Sequence, residues 1–257
     1  MGFLTDLVAT IRRDLADRPL DVAALRVEAV KAPQPRSLAA ALRSRTPSVI
    51  AEIKRSSPSA GAISSPDPRE QARAYTHAGA AAISVLTEPH HFKGSLDDLR
   101  AVRAVTDLPL LRKDFLIDVS QVVEARAAGA DAILLITACL TDQELSTMLA
   151  AAAEWGMEAL VETHTPEDLD RALATDAPVV GVNARDLETL NVDAGRALAQ
   201  LGRVPADRIA VMESGVSSRA QVVAAVAAGA SAILIGEALM RAADPGDALR
   251  RLTGEEQ

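Results

Sequence analysis

The chain has 257 residues, 49% hydrophobic and 24% charged, with a formal charge of −8 and a pI near 5.1. That length and a mean hydropathy of +0.12 suit one large α/β domain or two small ones, and they exclude a disordered chain. The acidic balance argues against a nucleic-acid-binding surface, although a local basic pocket is compatible with it.

The first segment, MGFLTDLVATIRRDL, places Leu4, Leu7, Val8, Ile11 and Leu15 at helical spacing, so an amphipathic helix is expected. It carries charges where a signal peptide would need an apolar core, and no segment reaches the roughly 18 apolar residues of a membrane span. The expectation is a cytoplasmic protein with no membrane contact. Pro19 ends this helix, and Pro33 and Pro35 separate a second helical piece, Asp21 to Lys31, from a third, Ser37 to Arg45, which Ser37 can cap. These first 45 or so residues form an extension that either covers one end of the domain or lies over a site.

From Val49 the pattern becomes periodic. GAAAI at Gly79, GADAI at Gly129 and GASAI at Gly229 each stand between a helical segment and an apolar run, 50 and 100 residues apart. Both separations are multiples of about 25 residues, the length of one βα unit. The glycine is expected to end its helix in the left-handed conformation. Short apolar runs place strands near Val49 to Lys54, Ala81 to Leu86, Leu108 to Arg112, Ala132 to Thr137, Met157 to Glu162, Val179 to Asn183, Ile209 to Glu213 and Ala232 to Gly236. Helical segments such as Ser120 to Ala128 and Ser218 to Ala228 separate them. Eight continuous apolar strands alternating with helices predict a parallel β/α (TIM) barrel: one domain over residues 1–257, with 1–45 as its extension. The competing doubly wound sheet usually carries a glycine-rich turn after its first strand, and Lys54 to Ser59 contains no glycine.

Barrel active sites lie at strand C-termini. The first strand runs into Glu52 and Lys54, which alternation puts on one side. The third ends in Arg112, Lys113 and Asp114, the fifth in Glu162, the sixth in Asn183 and Arg185, and the seventh in Glu213 and Ser214. The second, fourth and eighth end in Thr87, Thr137 and Gly236. Any one of these charges can be a structural ion pair, but five strands ending this way suggest a pocket for proton transfer on an anionic substrate. The loops bearing Gly215 and Gly236, with Lys54 and Ser57, favour a phosphate as the anion, though both glycines can equally serve tight turns. Phe92 and Phe115 are either core residues or a wall for a flat ring. His77, His90, His91 and His164 lack metal-ligand spacing, and His90 and His91 read as solvated loop residues. Cys139, the single cysteine, excludes an internal disulfide and reads as packing at the end of an apolar run. No Gly-x-Ser-x-Gly elbow is present.

AEIKRSSPS, LLRKDF, LVETHT, GVNARDL, MESGV and ILIGEALM, in this order from about Val49 to Met240, resemble the motifs of indole-3-glycerol-phosphate synthase of tryptophan biosynthesis. The resemblance implies a lyase that closes 1-(2-carboxyphenylamino)-1-deoxyribulose 5-phosphate to indole-3-glycerol phosphate, releasing carbon dioxide and water, with neither metal nor organic cofactor. It implies Lys113 as general acid, Glu162 as general base, and Glu52 and Lys54 in the proton transfers. Asn183, Arg185 and Glu213 would orient the substrate, Ser57, Gly215, Gly236 and Glu237 would hold its phosphate, and Ser214 would lie beside ring and sugar. Two departures stand out. Glu237 occupies a position that is serine in some members, so its carboxylate must point away from the phosphate, and Lys93 replaces a common glycine. The alternatives are phosphoribosylanthranilate isomerase, which needs a cysteine that Cys139 is badly placed to supply, and a barrel that binds its ligand without turnover. The expected state is a monomer whose partner is the small-molecule substrate, with no nucleic acid.

Overall fold

The structure is a computed structural model that describes residues 2–57, 61–62 and 67–255. Eight parallel strands close into a barrel: β1 (Ser48–Ile53), β2 (Ala82–Leu86), β3 (Leu110–Lys113), β4 (Ala132–Ile136), β5 (Glu158–Thr163), β6 (Val179–Asn183), β7 (Ile209–Glu213) and β8 (Ala232–Ile235). Each pairs with its sequence neighbour, and Ser48 on β1 meets Ala232 on β8 to complete the ring. Every strand residue is buried except Lys113 and Glu158, which are half-buried; this is why the strands read as unbroken apolar runs. The eight strands expected from sequence are all present, with ends shifted by at most two residues.

The helices are α1 (Phe3–Asp17), α2 (Val22–Lys31), α3 (Leu38–Arg43), α4 (Pro68–His77), α5 (Leu96–Arg103), α6 (Val119–Ala127), α7 (Asp142–Glu154), α8 (Pro166–Leu173), α9 (Ala194–Leu201), α10 (Arg219–Ala227), α11 (Glu237–Met240) and α12 (Pro245–Thr253). A small antiparallel hairpin, Ser56–Ser57 with Gly61–Ala62, follows β1. Among the described residues no helix is long and apolar enough to cross a membrane.

The repeated glycines act as expected. Gly79, Gly129 and Gly229 have φ of 84°, 90° and 109°. After α4, Gly79 N–H donates to the Thr76 carbonyl and Ala80 N–H to that of Tyr75, the paired bonds of a Schellman ending. The same pair recurs after α6 and α10. A fourth copy closes α7 at Gly156, where Met157 and Glu158 replace the Ala-x of the repeat and hide it from a pattern search.

The extension clasps the barrel at both ends. Leu4, Leu7 and Ile11 of α1 are buried in the common core, and Thr5 donates to Glu188, in the loop after β6, at 3.2 Å. His90 and His91 are exposed, as expected, but not idle: His90 Nε2 lies 2.8 Å from the Asp14 carboxylate on α1, and the His91 ring stands edge-on to Phe3. Helix α2 packs along α6. Helix α3 closes the opposite end, its Leu38 and Leu42 fully buried, and Glu158 at the start of β5 accepts from Ser37 Oγ and Ala39 N–H at 2.7 Å each.

At that lower end Asp131 joins three elements. Its carboxylate accepts from Arg103 at 2.7 Å, from Leu110 N–H at 2.8 Å and from Arg36 N–H at 2.9 Å, with only 3% of its side chain exposed. Asp131→Ala would remove the charge partner of the largely buried Arg103 and leave two amides without their acceptor, so urea unfolding should register a loss of about 3–5 kcal/mol. Activity per folded molecule should stay unchanged because the node lies far from the strand C-termini. A loss below about 1 kcal/mol would mean that water substitutes for the carboxylate there.

Candidate active site

A cavity of about 410 Å³ opens at the C-terminal ends of the strands, where barrel geometry directs it. Glu52 and Lys54, two residues apart at the end of β1, point inward together, and Lys54 Nζ lies 2.7 Å from Glu52 Oε1. Across the cavity Lys113 Nζ donates to Glu162 Oε2 at 2.9 Å and stands 3.5 Å from Glu213 Oε2. Asn183 Nδ2 donates to the other Glu162 oxygen at 3.0 Å. Five strands therefore deliver two lysines, three carboxyls and one amide to one pocket.

Burial sets the protonation states. Desolvation would lower the Lys113 ammonium, but Glu162, Glu213 and Glu52 surround it and raise it well above an ordinary lysine. Burial would likewise raise Glu162, yet Lys113 and then His164 hold its carboxyl well below the usual range. Glu213 goes the other way: burial, then the Glu162 charge, push it well above 4.5, and neither oxygen has a hydrogen-bond partner. One ionised and one protonated carboxyl flank a single ammonium, the separation on which acid/base work depends.

Phe92 and Phe115 both line the cavity, with centroids 6.2 Å apart, and Phe3 from α1 extends this apolar wall. Glu88 shapes the loop that carries Phe92, accepting from the backbone N–H groups of His90, His91 and Phe92 at 2.7, 2.7 and 2.9 Å. In the same loop Lys93 takes φ 55°, so it keeps a backbone shape that favours glycine while its side chain is exposed. Arg185 lines the cavity with one nitrogen donating to the Leu190 carbonyl at 2.9 Å. After β7, Ser214 and Gly215 follow each other at φ 64° and 74°, a rarely populated conformation for the serine. Glu237 turns its carboxylate back onto Arg241 Nε at 2.9 Å, and both line the rim. The side chain of Ser57 lies outside the described residues.

Two strand-end residues do not serve the cavity as the sequence suggested. Arg112 points outward, donating to Thr87 at 3.1 Å, Glu124 at 2.8 Å, Asp114 at 3.0 Å and the Gln121 carbonyl at 3.0 Å. Asp114 borders the cavity, but its carboxylate is taken by Thr87 and Arg112. Strand alternation is the reason: with Lys113 inward, its neighbours face the helical layer. Cys139 is buried in the turn after β4, its thiol pushed up to about 12 by burial and neighbouring carboxylates, which fits a packing role.

Sequence reasoning missed four contributors. His164, two residues beyond Glu162, brings Nε2 within 3.0 Å of Glu162 Oε1. Gly181 lies beneath Glu213, where any Cβ would collide with that carboxylate; a glycine inside a strand was the available signal. Phe3 carried no signal, since its approach depends on tertiary packing, whereas Arg241 stands four residues after Glu237, the spacing of a helical ion pair. Gly236 has a reason beyond a tight turn, because a Cβ there would strike the Glu52 carboxylate and stand 3.0 Å from Lys54 Nζ.

A family model for indole-3-glycerol phosphate synthase matches residues 4–252. The chain belongs to the indole-3-glycerol phosphate synthase family. It is 50% identical to the indole-3-glycerol phosphate synthase of Nocardioides sp. over the whole of both chains. Identity to the Micrococcus luteus enzyme of that name is 48%, covering 97% of this chain and 96% of that one, and to the Mycolicibacterium smegmatis enzyme 47%, covering 97% and 93%. Among solved structures, a 3-hexulose-6-phosphate synthase superposes with a TM-score of 0.63 at 21% identity, covering 82% of this chain and 100% of that chain. A tryptophan synthase α-subunit from Pyrococcus furiosus gives 0.60 at 18% identity, covering 80% and 98%. These two likenesses speak to the barrel alone. The chain is a decarboxylating lyase of tryptophan biosynthesis that forms indole-3-glycerol phosphate.

The Glu213 environment has a thermodynamic signature. With its carboxyl raised above 4.5, the native state retains a proton that the unfolded chain releases, so stability falls as pH rises from about 4.5 through the raised value. Glu162, shifted downward, contributes its own change only below 4.5. Glu213→Gln cannot ionise, so its melting temperature relative to the parent should climb between pH 5 and pH 8. A difference that stays flat across that range would show that Glu213 is not held protonated.

Proposed function

We propose that indole-ring closure runs on the Lys113–Glu162 pair, with Glu52 and Lys54 completing the proton transfers. The observation that carries the assignment is the 2.9 Å buried contact between an ammonium held charged and a carboxylate held ionised at the pocket floor. In closure, the aryl carbon bearing the carboxylate attacks the ribulose carbonyl, and negative charge grows on its oxygen. Lys113 gives that oxygen a proton; being a weak acid, it does so only as the more basic alkoxide develops. Carbon dioxide then leaves, its bonding pair restoring the aromatic ring. The new hydroxyl departs as water with a second proton, for which Lys54 is placed, while a carboxylate takes the proton whose loss completes the indole, a role for which Glu162 and Glu52 are placed.

Asn183, Arg185 and Glu213 would orient the substrate, and Phe92 and Phe115 would face its flat ring. Phosphate would sit against the backbone at Gly215 and Gly236, with Ser57 and Glu237 nearby and Ser214 beside ring and sugar. The Glu237–Arg241 pair supports this placement, since it draws the carboxylate off the anion's path. Lys113→Met should lower kcat/KM per folded molecule by at least about a hundredfold, followed by indole absorbance. Retention of more than about a tenth of the activity, a difference under roughly 1.4 kcal/mol, removes Lys113 from the acid role.

The burial of α1 in the barrel's core supports reading 1–257 as one domain with 1–45 as an extension that also borders the site. A cytoplasmic monomer fits a site built from one chain. Phe3 is the contact through which the extension would reach substrate. Phe3→Ala, removing an aromatic contact of about 0.5–1.5 kcal/mol, should raise KM by about two- to tenfold with little effect on kcat. An unchanged KM would leave α1 a purely structural cap.

A further inference from the structure

Glu162 is held from the cavity side by Lys113, but a second group approaches it from behind. His164 follows it by two residues, so strand alternation turns both side chains the same way at the end of β5. The imidazole is not part of the cavity lining and only 7% of its side chain is exposed, so it does not reach substrate. Its Nε2 stands 3.0 Å from Glu162 Oε1, yet neither ring nitrogen has an aligned hydrogen-bond partner. The backbone around it is fixed: its N–H donates to Asp168 at 3.2 Å, and its carbonyl accepts from Gln200 at 3.5 Å. A buried polar ring in a fixed frame, close to a carboxylate but oblique to it, is poised rather than satisfied. A small turn of Glu162 would satisfy it, and catalytic hydrogen bonds commonly tighten in this way when substrate enters.

We propose that His164 is a positioning residue for the general base: its Nε2–H takes up Glu162 Oε1 together with Asn183, leaving Oε2 as the oxygen that exchanges protons with substrate. The two oxygens are then distinct. Oε1 has two neighbours, Asn183 Nδ2 donating at 3.0 Å from the cavity wall and His164 Nε2 at 3.0 Å from outside the cavity lining. Oε2 accepts from Lys113 at 2.9 Å, and Lys113 lines the cavity. A carboxylate held by one oxygen cannot swing toward Lys113 to form a bidentate pair that would occupy both its bases. Without His164, Asn183 alone restrains Oε1, the carboxylate samples more orientations, and the fraction in the reactive one falls. The required tautomer carries its proton on Nε2, and the partnerless Nδ1 keeps a lone pair, less costly to bury than an unpaired N–H⁺.

This inference rests on Glu162 being the base, so Glu162→Gln is the reference variant. Three substitutions at position 164 divide the outcomes. His164→Leu removes the donor; His164→Asn keeps a polar group too short to reach; His164→Gln places an amide N–H near the Nε2 position. Steady-state kinetics should give kcat lowered by about tenfold or more for the Leu and Asn variants, KM within about threefold of the parent, and the Gln variant restored to within about threefold. A merely structural histidine would not produce that split: its loss would act on the folded fraction, measured by circular dichroism, and the Gln and Asn variants would fall together. Should the Leu variant not fold, the Asn–Gln comparison decides alone. Equal kcat in the Asn and Gln variants, or parental kcat in a folded Leu variant, overturns the positioning role while Glu162→Gln remains inactive. An active Glu162→Gln would instead overturn the base assignment, and this inference with it.

Discussion

The site depends on holding a lysine ammonium where burial removes most of its solvation. Lys113 at the end of β3 remains charged only because Glu162, Glu213 and Glu52 lie around it. An isolated ammonium in that place would lose its proton, since desolvation of a charge outweighs most single contacts. The carboxylates in turn require the lysine. Glu162 and Glu213 lie on strands separated only by β6, and two ionised carboxylates so near one another in an apolar barrel would repel strongly. The barrel resolves this by letting one ionise against Lys113 and keeping a proton on the other.

That arrangement fixes other parts of the fold. Gly181 leaves the space Glu213 needs, and Gly236 leaves the space the Glu52–Lys54 pair needs, so one glycine within β6 and one just after β8 answer to buried charge rather than to backbone conformation. Stability comes from elsewhere. The apolar interior, the Schellman endings that let helices turn directly into strands, and Asp131 at the lower end hold the barrel without using the charged groups of the pocket. This separation is what lets the upper end carry a buried carboxyl without a hydrogen-bond partner and a left-handed serine.

Most of the architecture was legible because its signals are local. The eight strands are continuous apolar runs, the glycine repeats mark helix ends, and Asp21, Ser37 and Ser218 cap the helices that follow them. The inward pair Glu52 and Lys54 followed from alternation alone, and Lys113, Glu162, Asn183 and Glu213 from their places at strand ends. What escaped depends on register, burial and tertiary approach. Arg112 reads like Lys113 until the register of β3 shows which of two adjacent cations faces inward. Phe3 is more than 80 residues from the Phe92 loop it meets, and Arg241 becomes part of the rim only once α11 turns it toward Glu237. His164 was visible as a residue but not as a partner, because nothing in the order of amino acids says how deep a strand end is buried.

Net charge links the site to its substrate. The lyase takes up a molecule bearing a carboxylate and a phosphate, yet the pocket offers more acidic than basic groups near its floor. Paired Glu52–Lys54 and Lys113–Glu162 cancel, so the sign of the field rests on Glu213. Protonated, it leaves the floor neutral, and Arg185 on the cavity wall tips the pocket positive. Ionised, it would set a buried negative charge against an incoming polyanion in a medium that screens poorly. Raising Glu213 therefore removes a negative charge from the pocket floor. The Glu237 carboxylate, neutralised by Arg241 at the rim, obeys the same requirement where solvent makes it easier to meet.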